Sequence, residues 1–481
     1  MFVSITTIIP EIWLLVAAVA LLMLGVCYKG VNFSVMILGA FIALVIAVIL
    51  QIIWFPKTQE LAFHGMFITK SGIAVTKIVC MSAAAFCLWM SGAYFRLSAT
   101  LARFELPVLI ILAVLGMNLM LSANHLISFY VSIELQSLAL YVLAAFYRDN
   151  LRSTEAGLKY FALGALSSGL LLYGSSLLYG FTGSASFTAI SQYMAMQQEL
   201  PVGVVVALVF MLCGMVFKIS AVPFHMWTPD VYQGAPTPVT AFFTTAPKLA
   251  SLTLLLRLII ELFPAIQESW KQIFWIVSVG SMMVGAFAGL RQQNIKRLLA
   301  YSSIGHIGYA LISLVVGGTG AINSLLLYMV IYLIMSLGVF ACILAVTIHP
   351  ERPDTLTDLS GLAKTNPLIA FCMAILMLSM AGIPPLVGFW GKFYVFIAAV
   401  QQQYYILPII GVLSSVVAAF YYLKVIKVMY FDDQLIQSSL KTSSQATLLA
   451  VISTITVIVL FIYPDLLINP LQQAAASLTL R

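Results

Sequence analysis

The feature that most restricts the fold of this chain is a succession of apolar runs, many of them near the roughly 20 residues that an α-helix needs to cross a bilayer. Hydrophobic residues make up 62% of the 481 residues, and charged residues only 8%. One soluble core cannot bury that much apolar surface. The sequence therefore predicts an all-α polytopic membrane protein.

Hydropathy and turn signals place about 14 spans along the chain. The spans lie near residues 8–28, 32–54, 73–95, 105–121, 125–146, 158–181, 202–222, 237–263, 272–290, 297–316, 322–348, 367–401, 404–430 and 446–468. Because the connections are mostly short, we expect one membrane domain over residues 1–481. Its predicted parts are three N-terminal helices (1–104), two larger units (105–263 and 272–430) and a last helix (446–468).

Two of the predicted spans are interrupted. Within Met211–Leu249, span 7 breaks at Pro223, continues through a loop that includes Trp227–Gly234, and gives way to a new helix near Pro238. In span 12, glycine and proline residues within Gly382–Pro385 break the apolar run. Since five spans separate the two interruptions, the units around them run in opposite directions. Paired interruptions of this kind predict two inverted five-helix repeats, spans 4–8 and 9–13.

Three lysines lie in apolar surroundings near these interruptions: Lys218, Lys248 and Lys392. A charge near the bilayer centre costs at least about 2.5–3.5 kcal/mol, so a lysine there suggests a function. An interrupted backbone at that depth also needs neighbouring protein or a water-filled cavity around it. Together these features indicate a path for an ion. Passive pairing with an acid is the alternative for Lys248 and Lys392.

Glu134 is the only acid that the sequence places firmly within a span, and no base lies three or four residues away from it. We expect it to pair with Lys218. Burial disfavours the charged form of a lysine, whereas a nearby carboxylate favours it, so opening and closing the pair would unload and load a proton. The alternative is a carboxylate that packs between helices and bonds to a hydroxyl.

Three further residues are secondary candidates for the same path. His306 lies on a polar stripe with two serines, and histidine exchanges protons near neutral pH, so it suits a relay between the last two lysines. His225, in the first interruption, either relays protons or binds freed carbonyls. Lys159 either takes part or extends its side chain to the membrane surface. Lys77 and Arg257 are expected either at the rim of the path or with side chains extended to the membrane surface.

The spacing of cysteine and histidine gives no metal or redox cofactor site. The six cysteines fall in apolar runs without a C-x-x-C pair, a pattern typical of small buried side chains. Histidines and acids show no ligand spacing, and neither an iron–sulfur or haem spacing nor a G-x-G-x-x-G fingerprint is present. Any redox chemistry is therefore expected on another chain.

Basic residues are unevenly distributed among the connecting segments. Segments after odd-numbered spans contain Lys29, Arg96, Arg103, Arg148, Arg152, Arg291, Lys296, Arg297, Arg352, Lys364 and Lys441. The other segments contain Lys57, Lys70, Lys271 and Arg481. The positive-inside rule then puts the odd segments in the cytoplasm and both termini outside. This distribution accounts for the net charge of +7, so no nucleic-acid partner is expected.

Four stretches carry a family resemblance. They are FKISAVPFHMWTPDVYQGAPTPVTAFFTTAPKLA, NIKRLLAYSSIGHIGY, ANHLISFYVSIELQSL and AGIPPLVGFWGKFYVF. Together they resemble the antiporter-like membrane subunits of respiratory complex I, and Asp230–Pro236 is similar to the subunit N branch. The resemblance implies 14 helices with inverted repeats. It also implies that Glu134 and Lys218 are the key acid and first lysine of the family, Lys248 the central lysine and Lys392 the outlet lysine.

The resemblance further implies a proton-translocating subunit of a complex that transfers electrons from NADH to quinone. Flavin and iron–sulfur clusters would then lie on partner subunits, and quinone would be reached only through the complex. The expected surroundings are other membrane subunits and the inner membrane of a bacterium, with both termini periplasmic. A subunit of a multisubunit cation/proton antiporter is the first alternative, and a scaffold with inert lysines the second.

Overall fold

The computed structural model of the chain describes residues 6–28, 32–96, 102–197, 199–346, 355–433 and 443–479. In this part of the chain, 11 helices are long and apolar enough to cross a membrane, and four shorter apolar helices accompany them. The prediction of an all-α polytopic membrane protein is confirmed. The count of about 14 spans and the inverted repeats stay predictions.

Most of the helices coincide with predicted spans. The first half contains α1 (Ile9–Cys27), α2 (Phe33–Ile53), β1 (Glu60–Ala62), β2 (Phe67–Thr69), α3 (Ser71–Arg96), α4 (Glu105–Leu121), α5 (Leu126–Ala144), α6 (Leu151–Thr182), α7 (Phe187–Met196), α8 (Val202–Lys218), α9 (Trp227–Gly234), α10 (Thr237–Thr244) and α11 (Ala246–Leu262). The second half contains α12 (Gln267–Leu290), α13 (Ile295–Val316), α14 (Gly318–Val346), α15 (Leu362–Thr365), α16 (Pro367–Ala381), α17 (Val387–Gln401), α18 (Ile406–Phe431), α19 (Ser444–Ile462) and α20 (Asp465–Thr479). Strands β1 and β2 form an antiparallel hairpin. Segments that were predicted as connections, or that lie beyond the last span, contain β1, β2, α7, α9, α15 and α20.

Three helical segments form the centre of the molecule: residues 237–262, α13 and α14. In each, 94% of the most apolar stretch is buried by protein, against 33% in α1. The outer helices instead expose large aliphatic side chains such as Leu15 and Val16 on α1, as expected of surfaces that face lipid. The central helices are thus shielded from the bilayer, which is where polar side chains can be accommodated.

The first interruption differs from its prediction in two respects. Helix α8 ends at Lys218, five residues before Pro223, so the lysine is the last helical residue rather than an internal one. The expected loop at Trp227–Gly234 is the short helix α9. Pro229 is compatible with this helix because it lies in the first turn, where backbone N–H groups have no intrahelical partner.

A further interruption, which the sequence analysis missed, separates α10 from α11 at Thr245. The backbone of Thr245 leaves the helical region, with φ −111° and ψ −98°. Pro247 follows two residues later, and proline cannot continue a helix because it lacks an N–H and clashes with the preceding turn. The predicted span 237–263 is therefore two helices, and Lys248 lies in the first turn of the second.

The second interruption lies where it was expected. Helix α16 ends at Ala381, Gly382 adopts a left-handed conformation with φ +85°, and α17 begins at Val387. The two halves then overlap closely, since a Cβ on Gly388 would lie 1.8 Å from the carbonyl oxygen of Ser379. Glycine is required at both positions, at the first for its backbone conformation and at the second for space.

Contacts between connecting segments fall into two groups. Segments after even-numbered predicted spans are joined by the bridges Phe67–Ala123 and His125–Ser186 and by the hydrogen bond from Gly72 to Ser477. Segments after odd-numbered spans are joined by the bridge Asn294–Thr355 and by the ion pairs of Asp230 with Lys159 and Arg297. This separation is expected if each span crosses the membrane, because successive connecting segments then lie on alternate sides. Helix α20 follows the last predicted span and packs on α3, on the same side as the segments after even-numbered spans.

Two ion pairs within the spans correct a prediction, one between two helices and one within α11. Lys77 on α3 bonds to Glu11 on α1 at 2.6 Å, with both side chains at most 2% exposed. Arg257 bonds to Glu261 at 2.7 Å. The expectation that Glu134 alone is an acid within a span is therefore wrong, and Lys77 and Arg257 are not rim residues. The partner of Lys77 was missed because the pairing of α1 with α3 is not visible in local sequence. Glu261 lies four residues after Arg257 on α11, and that spacing was a usable signal.

We expect Glu11→Gln to destabilise the protein by about 3–5 kcal/mol, because it leaves the Lys77 ammonium buried without its counter-charge. Thermal unfolding of the purified protein in detergent measures this change. Glu268→Gln is the matched control, since that side chain is 84% exposed. The double variant Glu11→Gln/Lys77→Met should recover most of the loss. An unchanged unfolding temperature for Glu11→Gln alone would contradict the assignment.

Candidate functional site

The six basic residues that the sequence leaves in or near the spans divide into two sets. Lys77, Arg257 and Lys159 bond to carboxylates. In the part of the chain that the structure describes, the other three form no ion pair; they are Lys218, Lys248 and Lys392. Lys248 and Lys392 are buried, at 2% and 6% exposed, and Lys218 is half-buried. The second set is the candidate site.

Lys218 is held by hydroxyl groups of α5. Its Nζ donates to Ser137 Oγ at 2.6 Å and to the Tyr141 hydroxyl at 3.4 Å. Glu134 lies one turn before Ser137 on the same helix face, so the acid is near the lysine but the expected direct ion pair is absent. Glu134 Oε1 is instead buried without a hydrogen-bond partner. The serine and the tyrosine were missed by sequence reasoning, although their spacing of three and seven residues from Glu134 was a usable signal.

Lys248 lies at the centre of the molecule, immediately after the interruption at Thr245. Its Nζ donates to Ser303 Oγ on α13. The same nitrogen lies 5.4 Å from the ring centroid of Tyr232, which belongs to α9. The lysine on α11 thus contacts α9, which lies within the first interruption, and α13 in the second half of the chain.

Lys392 reaches back across the second interruption. Its Nζ donates to the carbonyl oxygen of Ala381 at 2.8 Å and to Ser415 Oγ at 2.6 Å. The side chain passes directly over Gly382, where a Cβ would lie 2.9 Å from Lys392 Cδ. Glycine at this position therefore allows the left-handed turn and also leaves space for the lysine side chain.

The three lysines share one type of environment. Each donates to a serine on another helix, and each ammonium lies over a tyrosine ring, at 5.6 Å for Lys218, 5.4 Å for Lys248 and 5.1 Å for Lys392. Hydroxyl groups and ring faces stabilise a cation at modest strength without a fixed counter-charge. Such sites can hold either a charged or a neutral amine, which a carboxylate partner would oppose.

His306 lies on α13 between the central and the last lysine sites. Its Nδ1 is 2.6 Å from the Tyr328 hydroxyl and its Nε2 is 3.0 Å from the Tyr422 hydroxyl. The Tyr422 hydroxyl is in turn 2.5 Å from Ser302 Oγ. Three residues after His306, Tyr309 carries the ring beneath Lys392. Helix α13 therefore presents a polar stripe from Ser302 to Tyr309. Of the residues in this stripe, only the two serines and His306 were predicted from the sequence.

The other two secondary candidates lie apart from this stripe. Lys159 is 41% exposed and bonds to Glu155 at 2.7 Å and Asp230 at 2.8 Å. His225 lies between α8 and α9, and its Nδ1 is buried without a hydrogen-bond partner. Within the described residues, no group of three or more histidine, cysteine, aspartate or glutamate side chains could hold a metal ion.

Comparison with known proteins places this arrangement in a family. The family model described as "NADH:quinone oxidoreductase/Mrp antiporter, TM" matches residues 123–418. The chain is 50% identical to NADH-quinone oxidoreductase subunit N of Parvibaculum lavamentivorans, over 98% of this chain and 97% of the relative. It is 47% identical to subunit N of Rhodospirillum rubrum, with the same coverage.

Solved structures agree with the fold. A chain of respiratory complex I from Thermus thermophilus superimposes with a TM-score of 0.81 at 31% identity, covering 96% of this chain and 99% of that one. A chain of the Mrp complex from Dietzia sp. gives a TM-score of 0.87 at 20% identity, covering 99% and 98%, and this likeness concerns the fold alone. The chain therefore belongs to the NADH:quinone oxidoreductase/Mrp antiporter family of membrane subunits, and within it to the subunit N group of NADH-quinone oxidoreductases.

Proposed function

We propose that the chain translocates protons as a membrane subunit of a bacterial NADH-quinone oxidoreductase, driven by electron transfer from NADH to quinone elsewhere in the complex. The observation that carries the proposal is the set of three lysines at membrane depth, each bonded to a serine and none, within the described residues, to a carboxylate. Lysines without a permanent counter-charge can gain and lose protons. A structural charge would be expected to have a matched partner.

In this proposal, Glu134 controls the first lysine. The acid and Lys218 are near each other on α5 and α8 but separated by the Ser137 contact, so a small movement would form or break their ion pair. Two unit charges at 4 Å attract by about 4 kcal/mol at an effective dielectric constant of 20. Moving one charge against 100 mV costs about 2.3 kcal/mol. The change in electrostatic energy when the pair opens or closes is therefore large enough to drive the transfer of one proton against the membrane potential.

The proton then passes along the centre of the molecule. Lys248 contacts the polar stripe of α13 at Ser303, His306 lies one turn further along, and Lys392 lies over Tyr309 at the far end of the stripe. We infer the order Lys218, Lys248, His306, Lys392. Lys159 and His225 stay secondary candidates, since none of their described contacts reaches these residues.

The partners follow from the same assignment. The chain would lie in the bilayer among other membrane subunits of the complex, with flavin, iron–sulfur clusters and quinone on or reached through those partners. The alternative, a cation/proton antiporter subunit, is less well supported. Identity to the subunit N relatives is 45–51%, whereas identity to the Mrp chain is 20%. One carboxylate beside several lysines would also be a poor cation site.

We further propose that residues 105–263 and 272–430 are inverted repeats. The two interrupted helices support the repeat, because in each of them a lysine is found at the C-terminal end of the first half. Lys218 is the last residue of α8, and Lys392 donates to the carbonyl oxygen of Ala381, the last residue of α16. At that end of a helix the dipole favours positive charge, and Lys392 contacts the end carbonyl itself.

For orientation, we propose that both termini are periplasmic. Of the basic residues used for this inference, Lys29, Arg352, Lys441 and Arg481, and the side chain of Arg96, lie outside the described residues. Lys296 is buried and donates to the carbonyl oxygen of Ala235, so it is part of the packed core as well as of the basic face. The remaining basic residues still favour the cytoplasmic side for the segments after odd-numbered spans.

Site-directed labelling tests this orientation. In a Cys27→Ser background, which removes the exposed native thiol, Lys364→Cys and Glu268→Cys place thiols at side chains that are 69% and 84% exposed. A membrane-impermeant maleimide should label position 364 only in inverted vesicles and position 268 only in right-side-out vesicles. Labelling of both from one side would refute the alternation, and the opposite pattern would reverse the orientation.

The sharpest test of the function is Lys218→Arg, because arginine keeps the charge and the donors but does not release a proton in proteins. We expect the complex to assemble on a native gel, while NADH-driven proton pumping and coupled quinone reduction fall by at least about tenfold, or about 1.4 kcal/mol on the barrier. Lys364→Arg, at a 69% exposed lysine, is the control. Normal pumping by Lys218→Arg would show that this lysine carries no proton.

A further inference from the structure

A series of aromatic rings fills the space between the first and the central lysine. The rings belong to Tyr141, Tyr160, Trp227 and Tyr232, and all four residues are at most 6% exposed. The ring of Tyr141, which faces Lys218, lies 4.8 Å from that of Tyr160. Tyr160 stacks on Trp227 at 4.3 Å with planes 9° apart. Trp227 contacts Tyr232 at 6.3 Å, and Tyr232 lies beneath Lys248.

Within this series, the Tyr160–Trp227 stack offers the poorest path for a proton. Proton transfer needs a chain of hydrogen-bonding groups or ordered waters, and the faces of two stacked rings offer neither donors nor acceptors. The one donor of the Trp227 ring, Nε1–H, is already bonded to the carbonyl oxygen of Phe217 at 3.1 Å. Phe217 directly precedes Lys218, so the stack closes off the first lysine on the side that faces Lys248.

One ion pair fixes the two stacked rings relative to each other. Asp230 lies three residues after Trp227, on the same face of α9. It bonds at 2.8 Å to Lys159, which directly precedes Tyr160 on α6. The end of α9 also packs tightly on α6, since a Cβ on Gly234 would lie 2.3 Å from the carbonyl oxygen of Arg152.

The same carboxylate joins α9 to the helix of the polar stripe. Asp230 Oδ1 accepts from Arg297 Nη1 at 2.5 Å, and Arg297 also donates to Gln233 at 3.2 Å. Arg297 lies on α13, which carries Ser303, the partner of Lys248. Helix α9 therefore connects the surroundings of both lysines, and a movement of α9 would alter the ring stack and the central site together.

We propose that the Tyr160–Trp227 stack is a closed barrier between Lys218 and Lys248, and that Asp230 is a positioning residue that holds it closed through Lys159. A proton passes from the first to the central lysine only when α9 moves away from α6 and water enters between the rings. This inference rests on the proposed role of the lysines as proton carriers. Its consequence is that loss of the stack uncouples electron transfer from pumping.

The test compares Trp227→Ala with Trp227→Phe in the whole complex reconstituted in vesicles, with protons pumped per NADH oxidised as the readout. For Trp227→Ala, we expect NADH oxidation within about twofold of the parent and a pumping ratio at least about threefold lower than that of the parent. Trp227→Phe, which keeps a stacking ring, should keep the parent ratio. An unchanged ratio in Trp227→Ala would overturn the barrier.

The outcomes separate the two proposals. If Lys218→Arg lowers pumping and Trp227→Ala does not, the barrier is wrong and the proposed function stands. If Lys218→Arg has no effect, the proposed role of Lys218 as a proton carrier fails, and the barrier beside it fails with it. Should Trp227→Ala not assemble, Tyr160→Leu removes the stack from the α6 side, and the same ratio decides.

The role of Asp230 has its own readout. Asp230→Asn removes the charge that binds Lys159 and should lower the pumping ratio with electron transfer retained, while Asp230→Glu should restore the ratio. Asp149→Asn is the control, because its side chain is 58% exposed and pairs only with neighbouring Arg148 among the described ion pairs. A normal ratio in Asp230→Asn, or a loss in Asp230→Glu equal to that in Asp230→Asn, would exclude the positioning role.

Discussion

The arrangement of the whole molecule depends on the cost of holding positive charge at membrane depth. The chain meets this cost in two ways. Lys77 is neutralised by a carboxylate on another helix and Arg257 by one on its own helix. Lys218, Lys248 and Lys392 are instead solvated by serine hydroxyls, tyrosine rings and, for the last, a backbone carbonyl at a helix end. The first solution fixes a charge permanently, whereas the second leaves both protonation states accessible.

The interrupted helices make the second solution possible. The last carbonyl groups of a helix have no intrahelical partner, so each break supplies acceptors and a negative dipole end inside the protein. Lys392 donates to one of these acceptors, the carbonyl oxygen of Ala381. The turn between them needs glycine at position 382, because a Cβ there would collide with the lysine side chain. The third break, at Thr245, brings Lys248 to the centre of the bundle, where three almost wholly buried helical segments exclude lipid.

Helix α13 and the short helix α9 then organise the site. The first carries the polar stripe from Ser302 to Tyr309, and the second places aromatic rings between two lysines while Asp230 binds both α6 and α13. Neighbouring lysine sites are thus joined by packed elements, α9 and α13, and the proposal requires α9 to move away from α6. In the proposed function this is the physical basis for passing a proton in steps rather than through an open channel.

The sequence by itself determined the membrane class, the approximate limits of the predicted spans, the two main interruptions and the positions of the three central lysines. Hydropathy, glycine and proline act locally, so these features can be read from neighbouring residues. Only the tertiary structure decided which side chains meet. The Glu11–Lys77 pair, the serine partners of the lysines and the separation of Glu134 from Lys218 depend on how distant helices pack. The helical state of Trp227–Gly234 likewise depends on its contacts with α6 and α13, because an eight-residue helix is not stable on local propensity alone.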